Sequence, residues 1–448
     1  MGSFHNRFTS NFRSKTRDVS DISKKYLLGL FQSHRKNMER MAEVVPDSND
    51  QAFQHFISQS PWEEDNLILQ IANDANGLIG GHNDTCLIID ESGIPKKGTK
   101  SVGVARQYCG ELGKVENCQV GVFAGLGYGK YVIPVDCRLF LPRPWAEDKQ
   151  RGQAAGVPDF YIQYQRKQDL ALQMVISARA HGLSYGWIGC DGFYGEDGRF
   201  LRFLDDMGEI FVADVHRDQQ IYLDDPKPHV PKPSSKRGRK PSRLKSCSEP
   251  VRVDKWVSEQ PLKAWKRVHL RKTSKGKLKV DILCRRVFLW DGEESKVKCW
   301  HLIVRKDTDG KKIKYSLSNA PANTPLQRLA YMQCQRYLIE QLFKEGKNQC
   351  GMGDYQARGW RSWYHHMAMV MLAMLFMAEV RYDNESYYPL LSGADVVAVL
   401  KDILPRRAVT EEEIFRQLEE RHKRRQAAID SAYRKQFLKE QLARYKII

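Results

Sequence analysis

Three acidic residues of the sequence have neighbours that suit metal-dependent phosphodiester chemistry. Asp90 and Asp191 each follow a short apolar stretch, LII and WIGC, that predicts a buried strand ending at the acid. Glu340 lies four residues after Arg336 and seven before Lys347, so one helix would place all three on the same face. Carboxylates bind Mg²⁺ or Mn²⁺, and two such ions can activate an attacking oxygen and stabilise a leaving oxygen. An acidic residue at the end of a strand is also often a solvent-exposed capping residue. Other parts of the sequence are therefore needed to choose between the two interpretations.

Basic residues near these acids are candidate contacts for the phosphates of DNA. They flank Glu340, follow Asp90 in a lysine-rich turn or lie further along the chain: Arg336, Lys347, Lys96, Lys97, Arg106, Arg237, Arg239 and Lys240. Arg106 could equally be a surface arginine of the connection after the first strand. The last three belong to KRGRKPSR, which resembles a hook that inserts arginines into the minor groove. A solvated basic loop with non-specific phosphate contacts is the simpler interpretation of that segment.

The overall charge favours a polyanionic partner. The 448 residues include 72 Lys and Arg against 54 Asp and Glu, a formal net charge of +18. Such a surplus favours nucleic acid over a membrane surface. The length predicts about two or three domains, and a hydrophobic content of 42% predicts a mostly globular chain.

The cysteines and the apolar segments predict a cytoplasmic protein, associated with the nucleoid if it is bacterial. The ten cysteines form no CxxC pair, so we expect reduced thiols and no zinc site. The N-terminal stretch MGSFHNRFTSNFRSK lacks the apolar core of a signal peptide. The longest apolar run, Met367–Ala378, is shorter than the roughly 20 residues that span a bilayer and predicts a buried core helix. We therefore expect no membrane partner.

The order of the predicted elements indicates an α/β fold with a mixed sheet. Helices dominate the first 82 residues, as either a helix-turn-helix module or a plain helical bundle. Three strands and then alternating helix and strand follow. One long helix is predicted over 324–347. The predicted divisions are a helical N-terminal DNA-binding domain (1–82), the first part of a ribonuclease H-like core (83–225), a basic Pro/Ser-rich linker or loop (226–250), a β-rich insertion (251–322), the second part of the core (323–382) and a helical C-terminal region (383–448).

Several other acids and histidines are assigned structural roles. Glu345 is a rival third acid, but it would project about 140° further round the helix than the first candidate. Asp214 and His216 end a predicted strand and are interpreted as structural or supporting residues. His365 and His366 lie on a helix that enters the core, where hydrogen-bonded structural histidines are a simpler interpretation than a metal site.

Four stretches of the chain carry a resemblance to a known family: IIDESGIPKKGTKSVGVARQYCGELGKVENCQVGVF, GCDGFYG, YSLSNAPANTPL and YLIEQLFKEGKNQCGMGDYQARGWRSWYHHMAM. They resemble the insertion-sequence transposases of the DDE superfamily, over most of the chain up to about residue 380. The resemblance implies a ribonuclease H-like core with a β-strand insertion and a catalytic, metal-binding triad of Asp90, Asp191 and Glu340. One branch of that family carries Y-x2-R-x3-E-x6-K. Gln333 stands in place of the tyrosine here, so the use of a hairpin-ended intermediate stays open.

The resemblance implies a cut-and-paste DNA transposase. Water would cut at the element end, and the freed 3′ hydroxyl would then attack target DNA, with two Mg²⁺ ions, or Mn²⁺ instead, in the active site. The expected partners are double-stranded DNA, as terminal inverted repeats and target, and a second copy of the chain in a homodimer on paired ends. Two alternatives are a metal-dependent endonuclease without strand transfer and a transposase-derived DNA-binding protein that has lost catalysis.

Overall fold

A mixed sheet of ten strands forms the centre of the fold. The computed structural model describes residues 1–232, 241–273, 276–293, 296–307 and 312–445. The strands of the large sheet are β1 (Cys86–Pro95), β2 (Ala105–Cys109), β3 (Lys114–Tyr128), β4 (Tyr131–Leu139), β5 (Trp187–Cys190), β6 (Phe211–Val215), β9 (Lys266–Thr273), β10 (Gly276–Leu289), β11 (Lys298–Asp307) and β12 (Ile313–Ser318). A separate two-stranded sheet contains β7 (Gln220–Ile221) and β8 (Val251–Arg252).

Helices precede, interrupt and follow the sheet. They are α1 (Gly2–Asn6), α2 (Ser20–Gln32), α3 (Met38–Val44), α4 (Asp50–Ser58), α5 (Glu64–Ile79), α6 (Arg143–Ala146), α7 (Lys149–Ala154), α8 (Lys167–Ala180), α9 (Gly192–Gly195), α10 (Gly198–Asp206), α11 (Val253–Ser258), α12 (Leu326–Gln335), α13 (Tyr337–Cys350), α14 (Trp360–Asp383), α15 (Gly393–Ile403) and α16 (Glu411–Tyr445). The predicted α/β class, with helical regions at both ends of a mixed sheet, is confirmed.

The strand order places the predicted core strands in the middle of the sheet. From edge to edge the order is β2-β3-β1-β5-β6-β12-β11-β10-β9, and β4 pairs with β3. β1, β5 and β6 run parallel, whereas the other described pairs of this sheet are antiparallel. All four residues of β5 are buried, as expected for a short parallel strand covered on both faces. The strands predicted as an insertion therefore extend the central sheet through the pairing of β12 with β6.

Two glycines of β3 allow α13 to lie directly against the sheet. Gly125 and Gly127 face the same side of the strand because side-chain directions alternate. A Cβ at Gly125 would lie 2.8 Å from the Leu342 side chain, and one at Gly127 would lie 2.9 Å from Leu338. Both leucines are fully buried. The close approach fixes the helix that carries Glu340 over the middle of the sheet.

Several predicted element boundaries were wrong. The single helix predicted over 324–347 is two helices, α12 and α13, which meet at Arg336. Asp90 does not end its strand, because β1 continues to Pro95 while it pairs with β3. β2 and β9 were not predicted as strands, and Arg106 therefore lies on an exposed part of β2 and not in a long connection.

The apolar run predicted as a core helix is buried as expected. It belongs to α14, which is long and apolar enough to cross a membrane by composition but is mostly covered by the rest of the structure. His365 and His366 on this helix are fully buried and hydrogen-bonded. The His366 ring bonds the Tyr26 hydroxyl at 2.8 Å and the Gly351 carbonyl oxygen at 3.0 Å. The structural role predicted for both histidines fits these contacts.

The basic segment predicted over 226–250 is described only at its two ends. Arg237, Arg239 and Lys240 lie outside the described residues. At the base of the segment, His229 and Lys245 exchange two backbone hydrogen bonds of 3.0 and 2.9 Å. This bridge places the two described ends of the segment side by side.

We predict that acid destabilises the protein partly through His366. Burial lowers the pKa of His366 to about 3, so between that value and about 6.5 the unfolded chain binds a proton that the folded protein does not. Stability present above pH 6.5 is therefore lost as the pH falls, by up to about 1.4 kcal/mol per pH unit. Urea unfolding of His366→Gln between pH 7 and 5 should show a shallower loss than wild type. The exposed control His422→Gln should keep the wild-type slope, and a wild-type slope in His366→Gln would contradict the prediction.

Candidate active site

Three aspartates lie at one level of the sheet, on or directly after three adjacent parallel strands. The last paired residues of these strands share a register: Ile89, Cys190 and Ala213. The next residues along the chain are Asp90 on β1, Asp191 directly after β5 and Asp214 on β6. Residues in equivalent positions of paired strands project from the same face. Asp90 and Asp191 were predicted to lie side by side, and the register places them there. Asp214 was predicted as structural or supporting, and the register adds it to the same row.

The guanidinium of Arg336 connects this row to Glu340. Its Nε lies 2.9 Å from Asp214 Oδ2, one terminal nitrogen lies 3.7 Å from Asp90 Oδ2, and the other lies 3.0 Å from Glu340 Oε1. Arg336 is at the junction of α12 and α13, where its backbone stays helical but the two helices meet. This position directs its side chain to the sheet and leaves Glu340 in the first turn of α13.

The electrostatics of the row reflect a shortage of positive charge. Burial and the neighbouring Asp191 carboxylate raise the pKa of Asp90 to about 8, although Arg336 acts in the opposite direction. Burial would lower the pKa of Arg336, but the carboxylates of Asp214 and Asp90 raise it above its usual value. One guanidinium therefore neutralises only part of the charge that the carboxylates carry when they are ionised.

Asp191 is held by the start of the short helix that follows its strand. Its Oδ1 accepts hydrogen bonds from the backbone N–H groups of Phe193 and Tyr194, at 3.0 and 3.4 Å. Burial and the nearby Glu91 raise its pKa, whereas these bonds and Arg336 lower it. Glu91 itself binds Lys167 Nζ at 2.6 Å and the Tyr194 hydroxyl at 3.1 Å. These two partners hold the Glu91 carboxylate.

A chain of hydrogen bonds orients Asp214, the residue that pairs with the Nε of Arg336. The Ser316 hydroxyl donates to Asp214 Oδ1 at 2.6 Å, and Gln333 Nε2 donates to Ser316 Oγ at 2.8 Å. Gln333 is buried and also bonds the Ile303 carbonyl oxygen at 3.3 Å. The glutamine that replaces the expected tyrosine thus fastens α12 to the sheet and supports the Asp214–Arg336 ion pair. Asp214 could not be recognised from the sequence, because its role depends on the pairing of β5 with β6.

The remaining predicted residues on or near α13 have separate surroundings. Lys347 Nζ donates to Glu111 Oε2 at 2.7 Å and to the Gly93 carbonyl oxygen at 3.4 Å, so it lies over β1 beyond Asp90. Glu345, the rival third acid, forms an ion pair of 3.1 Å with Arg381 on α14. Glu345 therefore joins two helices, while the Glu340 side chain is 61% exposed and open to solvent.

The donor set fits a hard divalent cation. Across the described residues, no three His, Cys, Asp or Glu side chains are grouped closely enough to form a preassembled metal site. Asp90 and Asp191 are nevertheless adjacent carboxylates with raised pKa values, and Glu340 contacts the same guanidinium as Asp90. A divalent cation would supply the positive charge that Arg336 only partly provides, and oxygen-only ligands suit Mg²⁺ or Mn²⁺.

Comparisons with known proteins show which family the chain resembles. A family model described as DDE superfamily endonuclease matches residues 4–277, which is more than half of the chain and includes Asp90 and Asp191. The chain is also similar to a protein of Microchaete diplosiphon described as a probable transposase for insertion sequence element IS701. The two are 29% identical over 194 residues, which is 42% of this chain and 47% of that relative. The match thus spans about half the length of the relative.

We predict that Arg336 stabilises the fold as the counter-ion of the aspartate row. Arg336→Met keeps much of the side-chain volume but leaves Asp90 without its cation and leaves Asp214 with only Lys314, whose Nζ lies 4.0 Å from Asp214 Oδ2. Both aspartates are about 15% exposed. Removing one partner of such a buried pair costs about 3–5 kcal/mol. The loss should be smaller at pH 6 than at pH 8, because Asp90, whose pKa is about 8, is mostly protonated at pH 6 and then needs no counter-ion. Urea unfolding in a chelator measures both values.

The matched control for this prediction is Arg416→Met. Arg416 is 44% exposed and pairs with Glu413 and Glu420 on α16. Exposed pairs of this kind contribute about 0–1 kcal/mol. An equal loss of stability in the two variants, or a loss at Arg336 that does not depend on pH, would show that the counter-ion role is incorrect.

Proposed function

Because the chain belongs to the family of DDE superfamily endonucleases, we propose that it is a DNA transposase that cuts element ends and joins them to target DNA. The observation that carries the proposal is the parallel register of β1 and β5, which makes Asp90 and Asp191 neighbours, together with the link through Arg336 to Glu340. The family match ends before Glu340, so the geometry supplies the argument for the third acid. The name of the IS701 relative supports transposition over simple cleavage.

In this proposal Asp90, Asp191 and Glu340 are the catalytic carboxylates and would hold two Mg²⁺ ions, or Mn²⁺ in their place. The ions would supply activation of the attacking oxygen and stabilisation of the leaving oxygen. Asp90 and Asp191 are fixed by the sheet and by the start of α9, whereas Glu340 is exposed on the side where DNA would approach. Arg336 limits the repulsion among the carboxylates and keeps them close together before the substrate is bound.

The proposed substrate is double-stranded DNA, first as the terminal inverted repeats of the element and then as the target. The net charge of +18 supports a polyanionic partner. Lys347 lies over β1 beyond the carboxylates, and Lys96 and Lys97 follow at the end of the same strand. We propose these three lysines, Arg336 and the exposed Arg106 as phosphate contacts. The basic loop with Arg237, Arg239 and Lys240 would add salt-sensitive affinity.

The proposal extends to the assembly that acts on DNA. Two element ends must be brought together before both are joined to one target, and a homodimer with one active site at each end meets that requirement. The N-terminal helices would bind the terminal repeats. Such a protein would act in the cytoplasm, on the nucleoid if the host is bacterial.

We predict that Glu340→Gln abolishes DNA cleavage in both Mg²⁺ and Mn²⁺ while DNA binding survives. The substitution keeps the shape of the side chain and removes the negative charge that a hard cation needs. Cleavage is measured on a duplex that carries the element end, and affinity is measured on the same duplex without divalent ions. If Arg336 and Glu340 formed only an intrahelical ion pair, worth about 0.2–0.5 kcal/mol, the variant would cut normally.

Glu345→Gln is the matched control for this experiment. It makes the same chemical change on the same helix, but its carboxylate binds Arg381 away from the aspartate row. The control should cut DNA at a rate close to wild type once its folding has been verified by circular dichroism. Normal cutting by Glu340→Gln, or complete loss in Glu345→Gln alone, would overturn the assignment of the third acid.

We predict that Lys347→Ala weakens the hold on cleaved DNA ends without removing metal binding. Its ammonium contacts Glu111 and a backbone carbonyl of β1, and neither contact involves the aspartate row. Titration calorimetry with Mn²⁺ should therefore give a wild-type affinity, while the dissociation rate of a pre-cut duplex rises. A wild-type dissociation rate would remove Lys347 from the proposed DNA contacts.

A further inference from the structure

A basic cavity of about 900 Å³ lies beyond the end of β1. Its walls come from the turn after β1, the segment before α3, the loop between α13 and α14, and the distal part of α16. Six cationic side chains line it: Arg35, Lys96, Lys97, Lys100, Arg358 and Lys435. Among the described residues that line the cavity, Asp354 is the only acid. The cavity therefore has a strong excess of positive charge.

We infer that this cavity binds the phosphate backbone of duplex DNA about 20 Å from the aspartate row. The inference rests on the proposed function, because it assigns a second contact region to the same DNA substrate. It goes beyond that function by adding Arg35, Arg358 and Lys435, which belong to three separate parts of the chain, to the phosphate contacts.

Within the described residues, the positive charge of the cavity exceeds the negative charge that Asp354 supplies. In the described part of the chain, none of the six cations forms an ion pair with a carboxylate, unlike the many paired cations of the surface. The single acid is already engaged, because Asp354 Oδ2 accepts a hydrogen bond of 2.9 Å from the backbone N–H of Lys36. An arrangement of like charges without counter-ions is unfavourable unless an anion occupies it. A DNA backbone supplies regularly spaced anions over such a surface.

Lys96 gives the cavity a cation that is directed inward and only partly solvated. Its ammonium donates to the Tyr355 carbonyl oxygen at 3.0 Å and lies 3.7 Å from the centre of the Tyr355 ring. These partners carry partial negative charge but no net charge. Burial lowers the pKa of Lys96 to about 8, with Asp354 acting in the opposite direction. A phosphate beside the ammonium would raise this pKa again and so stabilise the charged form.

The walls of the cavity are fixed by hydrogen bonds between segments. The backbone N–H of Lys96 donates to the Asn117 carbonyl oxygen at 2.9 Å, and the Asn117 side chain returns bonds to the carbonyl oxygens of Lys96 and Gly98. The backbone N–H of Val102 donates to the Arg358 carbonyl oxygen at 2.9 Å, which joins the turn to the opposite loop. The lysine-rich turn is therefore ordered before DNA binds, which reduces the entropy cost of binding.

The position of the cavity fits one continuous DNA path. Lys96 follows Asp90 by six residues along β1 and its end, a distance of about 20 Å at roughly 3.3 Å per residue. This corresponds to about six base pairs of B-DNA at roughly 3.4 Å each. Lys347 contacts Gly93 between these two points and also pairs with Glu111, so one further cation lies along the path. A single short duplex could reach both the carboxylates and the cavity.

The test removes two exposed arginines from opposite walls, Arg35→Ala together with Arg358→Ala. Affinity for a duplex long enough to span both regions is measured by fluorescence anisotropy over a series of salt concentrations, without divalent ions. The slope of log affinity against log salt should fall by about 0.9 for each arginine–phosphate pair that the substitutions remove, hence by about 1.8 in the double variant. The full-length chain is used throughout.

The matched control is Arg416→Ala together with Lys423→Ala. It removes the same net charge from α16, but both cations are paired with glutamates of that helix. The control should keep the wild-type slope. An unchanged slope in the cavity variant, or an equal fall in both double variants, would overturn the inference. An unchanged slope with weaker binding of an acidic peptide would indicate a protein partner for the cavity instead.

The outcome is separable from that of the proposed function. If Glu340→Gln loses cleavage while the cavity variant keeps its salt slope, the transposase proposal stands and the cavity assignment fails. If the cavity variant shows the reduced slope while Glu340→Gln still cuts, the cavity binds DNA and the catalytic proposal fails.

Discussion

The structure depends on a guanidinium that neutralises carboxylates from distant parts of the sequence. Arg336 contacts Asp90 on β1, Asp214 on β6 and Glu340 on α13, and it lowers the pKa of Asp191. Without a cation, carboxylates this close would repel one another, and the pKa of Asp90 would rise further above its usual value than it already does. The ion pairs therefore allow a row of acids to form in a largely buried part of the sheet, where hard cations could later bind.

Strand pairing and close helix packing bring the charged groups of the site together. Parallel pairing sets the aspartates at one level, and the paired glycines of β3 let α13 approach closely enough for its first turn to reach them. Ser316 and Gln333 then fix the orientation of Asp214. The site is thus assembled from rigid elements, which favours precise placement of its charged groups. β1 and the hydrogen-bonded turn that follows it connect these elements to the basic cavity.

Elements that are buried, and therefore apolar, could be predicted from the sequence. Elements and residues whose place depends on strand pairing or on charged contacts could not. Apolar β1, β5 and β6 were recognisable as strands, and so was the core helix α14. The edge strands β2 and β9 were not, because ARQYC and KRVHLRKT are polar and one side of each lacks a neighbouring strand. The break at Arg336 has no glycine or proline to mark it. The position of Asp214 beside Asp191 became clear only from the register of β5 and β6.

The central claim is that Asp90, Asp191 and Glu340 form one metal-binding catalytic site. Anomalous diffraction from crystals of the full chain grown with Mn²⁺ and an end-containing duplex tests it most directly. We expect manganese peaks in contact with the Asp90 and Asp191 carboxylates, with Glu340 as a further ligand and Asp214 still paired with Arg336. Manganese bound elsewhere on the protein, with the aspartate row occupied only by Arg336 while the DNA is cut, would contradict the account.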